Sequence, residues 1–236
     1  MKHSLLSISV LFLCLACVDD TSPIANYEVH GIDVSHYQSV INWDQVAENN
    51  IHFTYVKSTE GESYVDSMFS YNWVNSQRVG LKRGAYHFYR PQVPALTQAN
   101  HFTQTVELLP GDLPPVVDVE VLDGVAVTEL IVGLRMYLKN IELHYGVKPV
   151  IYTYQKFYNK YLAGQFSEYP IWIARYHHRQ PKLASKDNWL LWQYEQTGEL
   201  LGIKGAVDFN VFKGSHAELE RWCIPTPTAA HQLATD

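Results

Sequence analysis

Eight short runs rich in β-branched and aromatic residues recur along this chain at intervals of roughly 20 to 35 residues, and that rhythm restricts the fold more than any other feature. They occupy residues 30–35, 53–58, 84–89, 115–120, 149–154, 170–175, 190–194 and 207–212. Helical signals fill the longer gaps. The clearest is 127–145, where Val127, Leu130, Ile131, Leu134, Leu138, Ile141 and Tyr145 recur at spacings of three and four and form one apolar stripe. Pro94 can open a second helix, with Leu96, Ala99, Phe102, Val106 and Leu109 on one face. Asp66 can cap a third ahead of Phe69 and Trp73, with Gly80 to end it, and Asn42 can cap a fourth ahead of Trp43 and Val46. After residue 150 the gaps shorten and leave little room for full helices.

Strands alternating with helices favour a parallel sheet, and eight strands suffice to close it so that no edge is left unpaired. Barrels of this kind run to roughly 250 residues as one unit, and this chain has 236, with 47% hydrophobic and 18% charged residues and no low-complexity linker after residue 27. The sequence therefore predicts an α/β fold, a single irregular TIM-like (β/α) barrel of about eight strands, with helices sparse in the C-terminal half. Its 24 acidic against 18 basic side chains give a net charge of −6, which argues against general attraction to nucleic acid or to an anionic membrane.

The N-terminus reads as an address. Lys2 and His3 precede an apolar run of about thirteen residues, too short for a permanent span, which ends in Cys14-Leu-Ala-Cys17. A small residue just before a cysteine resembles the bacterial lipobox, although Cys14 stands where that pattern usually has Leu. The expected organisation is a lipoprotein-type signal peptide over 1–16, lipidation of Cys17, a polar tether over 17–27, the barrel over 28–215, and a C-terminal extension over 216–236 whose end is mobile. Contact with a membrane is expected through the lipid anchor only. Cys223 is the one cysteine of the body, so no disulfide framework is available there.

Along a strand, residues i and i+2 share a face, so Asp118 and Glu120 project together while Val117 and Val119 point away. Asp33 falls near the end of the first run and Asp208 in the last, and closure sets the first and last strands side by side. Barrel chemistry is assembled where loops leave the C-terminal strand ends, which suits Asp33, Asp118 and Glu120 and leaves Asp208 less well placed. Crowded carboxylates resist simultaneous ionisation, so one acid can stay protonated near neutrality, as glycoside hydrolysis requires. Tyr55, Tyr86, Phe88, Tyr152, Tyr154, Trp172, Trp192 and Tyr194 fall near strand ends, where aromatic faces can stack on sugars; at least half of them are expected to be core. His36 and His87 read as structural histidines, and His177 and His178, between Arg175 and Arg179, as a solvated loop.

Taken in order, Gly31-Ile-Asp-Val-Ser-His-Tyr-Gln38, Phe53-Thr-Tyr-Val-Lys-Ser-Thr-Glu-Gly61, Gly84-Ala-Tyr-His-Phe-Tyr-Arg90, Val117-Asp-Val-Glu120, Ile171-Trp-Ile-Ala-Arg175, Leu191-Trp-Gln-Tyr194 and Val207-Asp-Phe-Asn210 resemble the glycoside hydrolase family 25 lysozymes, or Chalaropsis-type muramidases. The resemblance implies an irregular β/α barrel and hydrolysis of the β-1,4 bond between N-acetylmuramic acid and N-acetylglucosamine in peptidoglycan. It assigns Glu120 as proton donor, Asp118 as the acid that orients the substrate's N-acetyl group, and Asp33 and Asp208 as further active-site acids. Its motifs offer Glu60, Tyr86, Trp172, Arg175, Trp192 and Gln193 as substrate contacts, and Tyr152, one of the strand-end aromatics, joins them. The Asp-x-Glu pair is similar to that of substrate-assisted glycosidases, in which the acetamido oxygen attacks the anomeric carbon. The last motif has Phe209 where Tyr is commoner, which removes a hydroxyl without touching the acid.

No cofactor and no metal is implied, peptidoglycan glycan strands are the expected partner, and the expected state is a monomer. Val18 after Cys17 lacks the inner-membrane retention cue, so the expected location is the cell envelope as an outer membrane lipoprotein, with a secreted or periplasmic product as the alternative. Two other functions fit part of the sequence. One is a catalytically silent peptidoglycan-binding envelope lipoprotein, against which the presence of all four acids argues. The other is a metal-dependent hydrolase using the carboxylates with His36 or His87, for which no close ligand spacing such as H-E-x-x-H is present.

Overall fold

All eight runs form strands, and neighbours along the chain are neighbours in space. The structure, a computed structural model, describes residues 23–226, so the signal, Cys17, most of the tether and the end of the tail lie outside the described residues. The strands are β1 (Val29–Val34), β2 (Phe53–Glu60), β3 (Tyr64–Val65), β4 (Lys82–Phe88), β5 (Val116–Asp118), β6 (Val150–Tyr154), β7 (Ile171–Ala174), β8 (Trp189–Gly198) and β9 (Val207–Phe212). All but β3 close into a ring, β1 pairing with β2 on one side and β9 on the other. β3 folds back on the end of β2 as a short hairpin, and a two-residue pairing carries no periodicity by which sequence reading could find it.

The expectation of a parallel sheet holds from β1 round to β8 and fails at β9, which runs antiparallel to both its neighbours. Residues 199–206 alone join β8 to β9, shorter than the dozen or so residues a parallel crossover needs. The chain must reverse, and that reversal decides where Asp208 lands.

The helices are α1 (Trp43–Ala47), α2 (Phe69–Arg78), α3 (Ala95–Thr105), α4 (Val127–Tyr145), the single turn α5 (Gln155–Phe157) and α6 (His216–Trp222). Among the described residues no helix is long and apolar enough to cross a membrane. α4 has the bounds its periodicity predicts, and Leu130, Leu134, Leu138 and Ile141 are buried, joined by Tyr137, while Val127 stays at the surface. Burial of a leucine such as Leu134 contributes about 2–3 kcal/mol. Asn42 caps α1 through Oδ1, which accepts the Gln45 N–H at 3.3 Å. Two expectations need correction. α3 ends at Thr105, so Leu109 lies beyond it and is exposed, as is Leu96. Asp66 does not cap α2 directly: Met68 precedes the helix, and the Asp66 carboxylate divides between the Met68 N–H at 2.9 Å and His36.

Period-two alternation sorts the strand residues into two cores. Val29, Phe53, Tyr55, Val116, Val150, Trp172, Leu191 and Phe212 fill the barrel, while Ile32, Val56, Ala85, Val117, Ile151, Ile173, Trp192 and Val211 pack outward under the helices. Two glycines make room inside: a Cβ on Gly31 would sit 2.4 Å from the Phe53 ring, and one on Gly84 2.2 Å from the Tyr55 ring. α6, beyond the expected boundary at 215, packs Leu219 and Cys223 against the interior residues and stacks Trp222 on Phe212 at 5.5 Å, closing the end of the barrel opposite the mouth. His87 is structural, as expected: it is fully buried in the outer layer, Nδ1 paired with Thr59 Oγ1 at 2.8 Å, Nε2 with Gln98 Oε1 at 3.0 Å, and the ring stacked on Tyr137.

Candidate active site

Asp33 shares the parity of Val29 and Gly31 and so turns inward at the end of β1. Asp118 is the last residue of β5, and Glu120 follows two residues later, just past the strand. Asp208 is the second residue of β9; because β9 runs backwards, its start lies at the same rim as the C-terminal ends of the other strands, directly across the ladder from Asp33. All four acids line one cleft of about 460 Å³ at the barrel mouth. β5 and β9 are four strands apart in the ring, so the cleft has two acidic walls facing each other.

The β1/β9 wall is internally bonded. Asp33 Oδ2 accepts from Asn210 Nδ2 at 2.7 Å and from Gln193 Nε2 at 2.8 Å. Asn210 Oδ1 in turn accepts the Trp172 indole N–H at 2.9 Å, and Gln193 Oε1 accepts the hydroxyls of Tyr152 at 2.7 Å and Tyr176 at 3.0 Å. Burial pushes Asp33 up to about 6 against the pull of those donors. Burial and the charge of Asp33 push Asp208 up to about 9, so the pair keeps a proton at neutral pH.

The β5 wall differs. Asp118 Oδ1 is buried and has no hydrogen-bond partner. Burial first, and the neighbouring Glu120 second, hold Asp118 well above the usual carboxylate range; Lys57 opposes both effects. Glu120 is also raised by burial, with the Tyr152 hydroxyl and Lys57 pulling the other way. Lys57 itself projects from β2 into the cleft and pairs with Glu60 at 2.8 Å.

Of the substrate contacts expected from sequence, Glu60, Tyr86, Tyr152, Trp172 and Gln193 line this cleft. Trp192 does not. Adjacent strand residues face opposite ways, so Gln193 turned inward sends Trp192 outward, where it is fully buried with its indole donating to Arg175 O at 2.8 Å. Arg175 is likewise outside the cleft lining, its guanidinium held by Gln155 Oε1 and Gln180 O. Tyr194 and Phe209 stack on each other on the outer side, so the missing Phe209 hydroxyl concerns packing away from the cleft. His177 and His178 lie in an exposed loop. Among the described residues no three His, Cys, Asp or Glu side chains are grouped as a metal-ligand set.

Sequence reasoning passed over Lys57, Asn210 and Tyr176. Two of them were signalled by parity: Lys57 is two residues beyond inward Tyr55, and Asn210 two beyond inward Asp208. Tyr176 sits in a loop, where no period applies.

A closed eight-stranded barrel with four carboxylates gathered around one cleft at its mouth suits a glycoside hydrolase, and similarity to known proteins shows that class. The sequence model of the family described as glycosyl hydrolases family 25 matches residues 32–203, and the chain belongs to that family. It is 46% identical over 205 residues to the protein named Uncharacterized protein YegX of Escherichia coli O157:H7, an alignment covering 83% of this chain and 74% of that one. It is 35% identical to Lysozyme M1 of Streptomyces globisporus over 81% of this chain and 70% of the relative. Among solved structures, a family 25 glycosyl hydrolase from Bacillus anthracis superposes with a TM-score of 0.79 at 33% identity, covering 84% of this chain and 94% of that chain.

Proposed function

We propose that this enzyme is a peptidoglycan muramidase that cleaves the β-1,4 bond between N-acetylmuramic acid and N-acetylglucosamine by substrate-assisted acid catalysis. The observation that carries the mechanism is the orphaned Asp118 Oδ1 with Glu120 beside it in the cleft. A buried carboxylate oxygen without a donor is costly, and the acetamido N–H of a bound sugar is a donor of the right kind. Its arrival favours ionised Asp118 and leaves the proton of the pair on Glu120. Glu120 then gives that proton to the leaving glycosidic oxygen as the acetamido oxygen attacks the anomeric carbon. The bond to the leaving sugar breaks, and the ring nitrogen of the resulting oxazolinium keeps its N–H on Asp118. Water opens that ring, its proton passing to the Glu120 carboxylate, which restores the acid.

Mass spectrometry of muropeptides released from purified murein checks both parts of the reading. Products with N-acetylmuramic acid at the reducing end are expected, and products ending in reducing N-acetylglucosamine refute the bond assignment. Glycan whose N-acetyl groups have been removed should resist cleavage; cleavage at an equal rate refutes the substrate-assisted route.

From the N-terminal sequence we also propose that the enzyme is a monomeric outer membrane lipoprotein of the cell envelope, held through Cys17. Two acyl chains suffice for stable anchoring, so Cys17→Ser should release the protein from the membrane fraction. An unchanged distribution refutes the anchor and leaves the enzymology untouched.

A further inference from the structure

The loop that leaves β1 carries Tyr37, whose side chain lines the cleft and yet is 79% exposed. The ring therefore stands at the rim of the cleft with most of its surface open to an entering ligand. Its support is extensive. Ser35 Oγ accepts the Tyr37 N–H, Gln38 Oε1 accepts the Ser35 N–H at 2.9 Å, and Gln38 Nε2 donates to Ala206 O at 3.0 Å. Ser39, which ends the turn, has φ 53°, a left-handed value that a serine adopts only when its surroundings impose it.

Behind Tyr37 stands His36, the ring centroids 4.1 Å apart. Its Nδ1 is 2.6 Å from Asp66 Oδ2, which also accepts the His36 backbone N–H at 3.1 Å. The Asp66 carboxylate is buried and accepts, so the imidazole donates to it through Nδ1 and keeps Nε2 for another polar partner. Tyr64, from the β3 hairpin, brings its hydroxyl to 3.4 Å from the same imidazole and is itself 42% exposed. Two tyrosines and an imidazole held on Asp66 thus stand where β1 and β2 reach the rim.

The cleft of about 460 Å³ is in the size range of pockets that enclose one small ligand, whereas a glycan strand is a polymer that must leave it. On the muramidase reading, on which this inference rests, a sugar ring has to cross the rim. The geometry points to Tyr37, backed by His36 and flanked by Tyr64, as an outer saccharide subsite that holds a pyranose ring of the glycan strand beyond those at the acids. The Tyr37 face supplies the stacking surface, and His36 Nε2 and the Tyr64 hydroxyl supply polar partners for the sugar hydroxyls.

The test is binding to peptide-free peptidoglycan glycans in the Glu120→Gln background, by calorimetry, with a disaccharide and with strands of ten or more sugars. Adding Tyr37→Ala should weaken the long strands roughly tenfold and leave the disaccharide within about twofold. Tyr37→Phe, which keeps the stacking face, should restore the long-strand affinity. An unchanged affinity for long strands, or an equal loss for both lengths, overturns the subsite alone. If the Glu120→Gln protein binds neither glycan, the muramidase reading falls and the subsite with it.

Discussion

The two acidic walls of the cleft are built on opposite logics. On the β1/β9 side Asp33 Oδ2 is bonded within the protein by Asn210 and Gln193, which are held in turn by Trp172, Tyr152 and Tyr176. On the β5 side Asp118 presents a buried oxygen with nothing bonded to it. The first arrangement fixes geometry; the second stores an unfavourable interaction that a ligand can relieve. Both walls hold carboxylates at raised pKa through burial, so what separates them is satisfaction rather than charge. The cleft thus has one wall braced by internal hydrogen bonds and one left incomplete.

The contrast can be attacked by substitution. Glu120→Gln should reduce turnover by about 10²- to 10⁴-fold with little change in the dissociation constant for glycan, since only proton transfer is removed; single-turnover kinetics and calorimetry on one preparation check this. Asp118→Asn should cost about 10²-fold in kcat on N-acetylated glycan, and a loss confined to KM would show the β5 wall to be a ground-state contact only.

On the bonded wall the effect should appear in stability. Asn210→Ala leaves the Trp172 indole N–H without its acceptor, and urea unfolding should register a loss of about 1–3 kcal/mol. The reverse is expected of Asp208→Asn. An acid whose pKa is raised in the folded state binds more protons folded than unfolded, so its contribution to stability is present at low pH and is lost as pH rises toward its folded value of about 9. Removing that acid should stabilise the fold by about 1 kcal/mol at pH 8, with the gain fading toward pH 4; a pH-independent difference would refute the electrostatic account. Smallest should be the catalytic effect of Trp192→Phe, which packs outside the barrel: the melting temperature should fall while KM stays unchanged.

Much of this could be read from sequence because strands have a period of two. That rule aligns Asp118 with Glu120 and, applied strictly, separates inward Gln193 from outward Trp192, while enrichment in β-branched and aromatic residues marks all eight ring strands. The spacing of three and four located α4 with its bounds. What stayed hidden was set by tertiary context. The reversal of β9 depends on how little chain joins it to β8, and it brings Asp208 to the rim although a parallel strand would have held its early residues at the far end. Lys57 looked like part of a β-rich run until the cleft gave it acids to face.

The seal that α6 makes across the barrel floor has a topographic corollary. Pro23–Asn26 lead into the start of β1, and Tyr27 rests against Trp189 at the start of β8, so the described chain enters beside the floor and, after α6, leaves from it as well. Both ends emerge on the pole away from the acids. A surface that held the chain by either described end would therefore meet the pole opposite the cleft, with the acids on the far side.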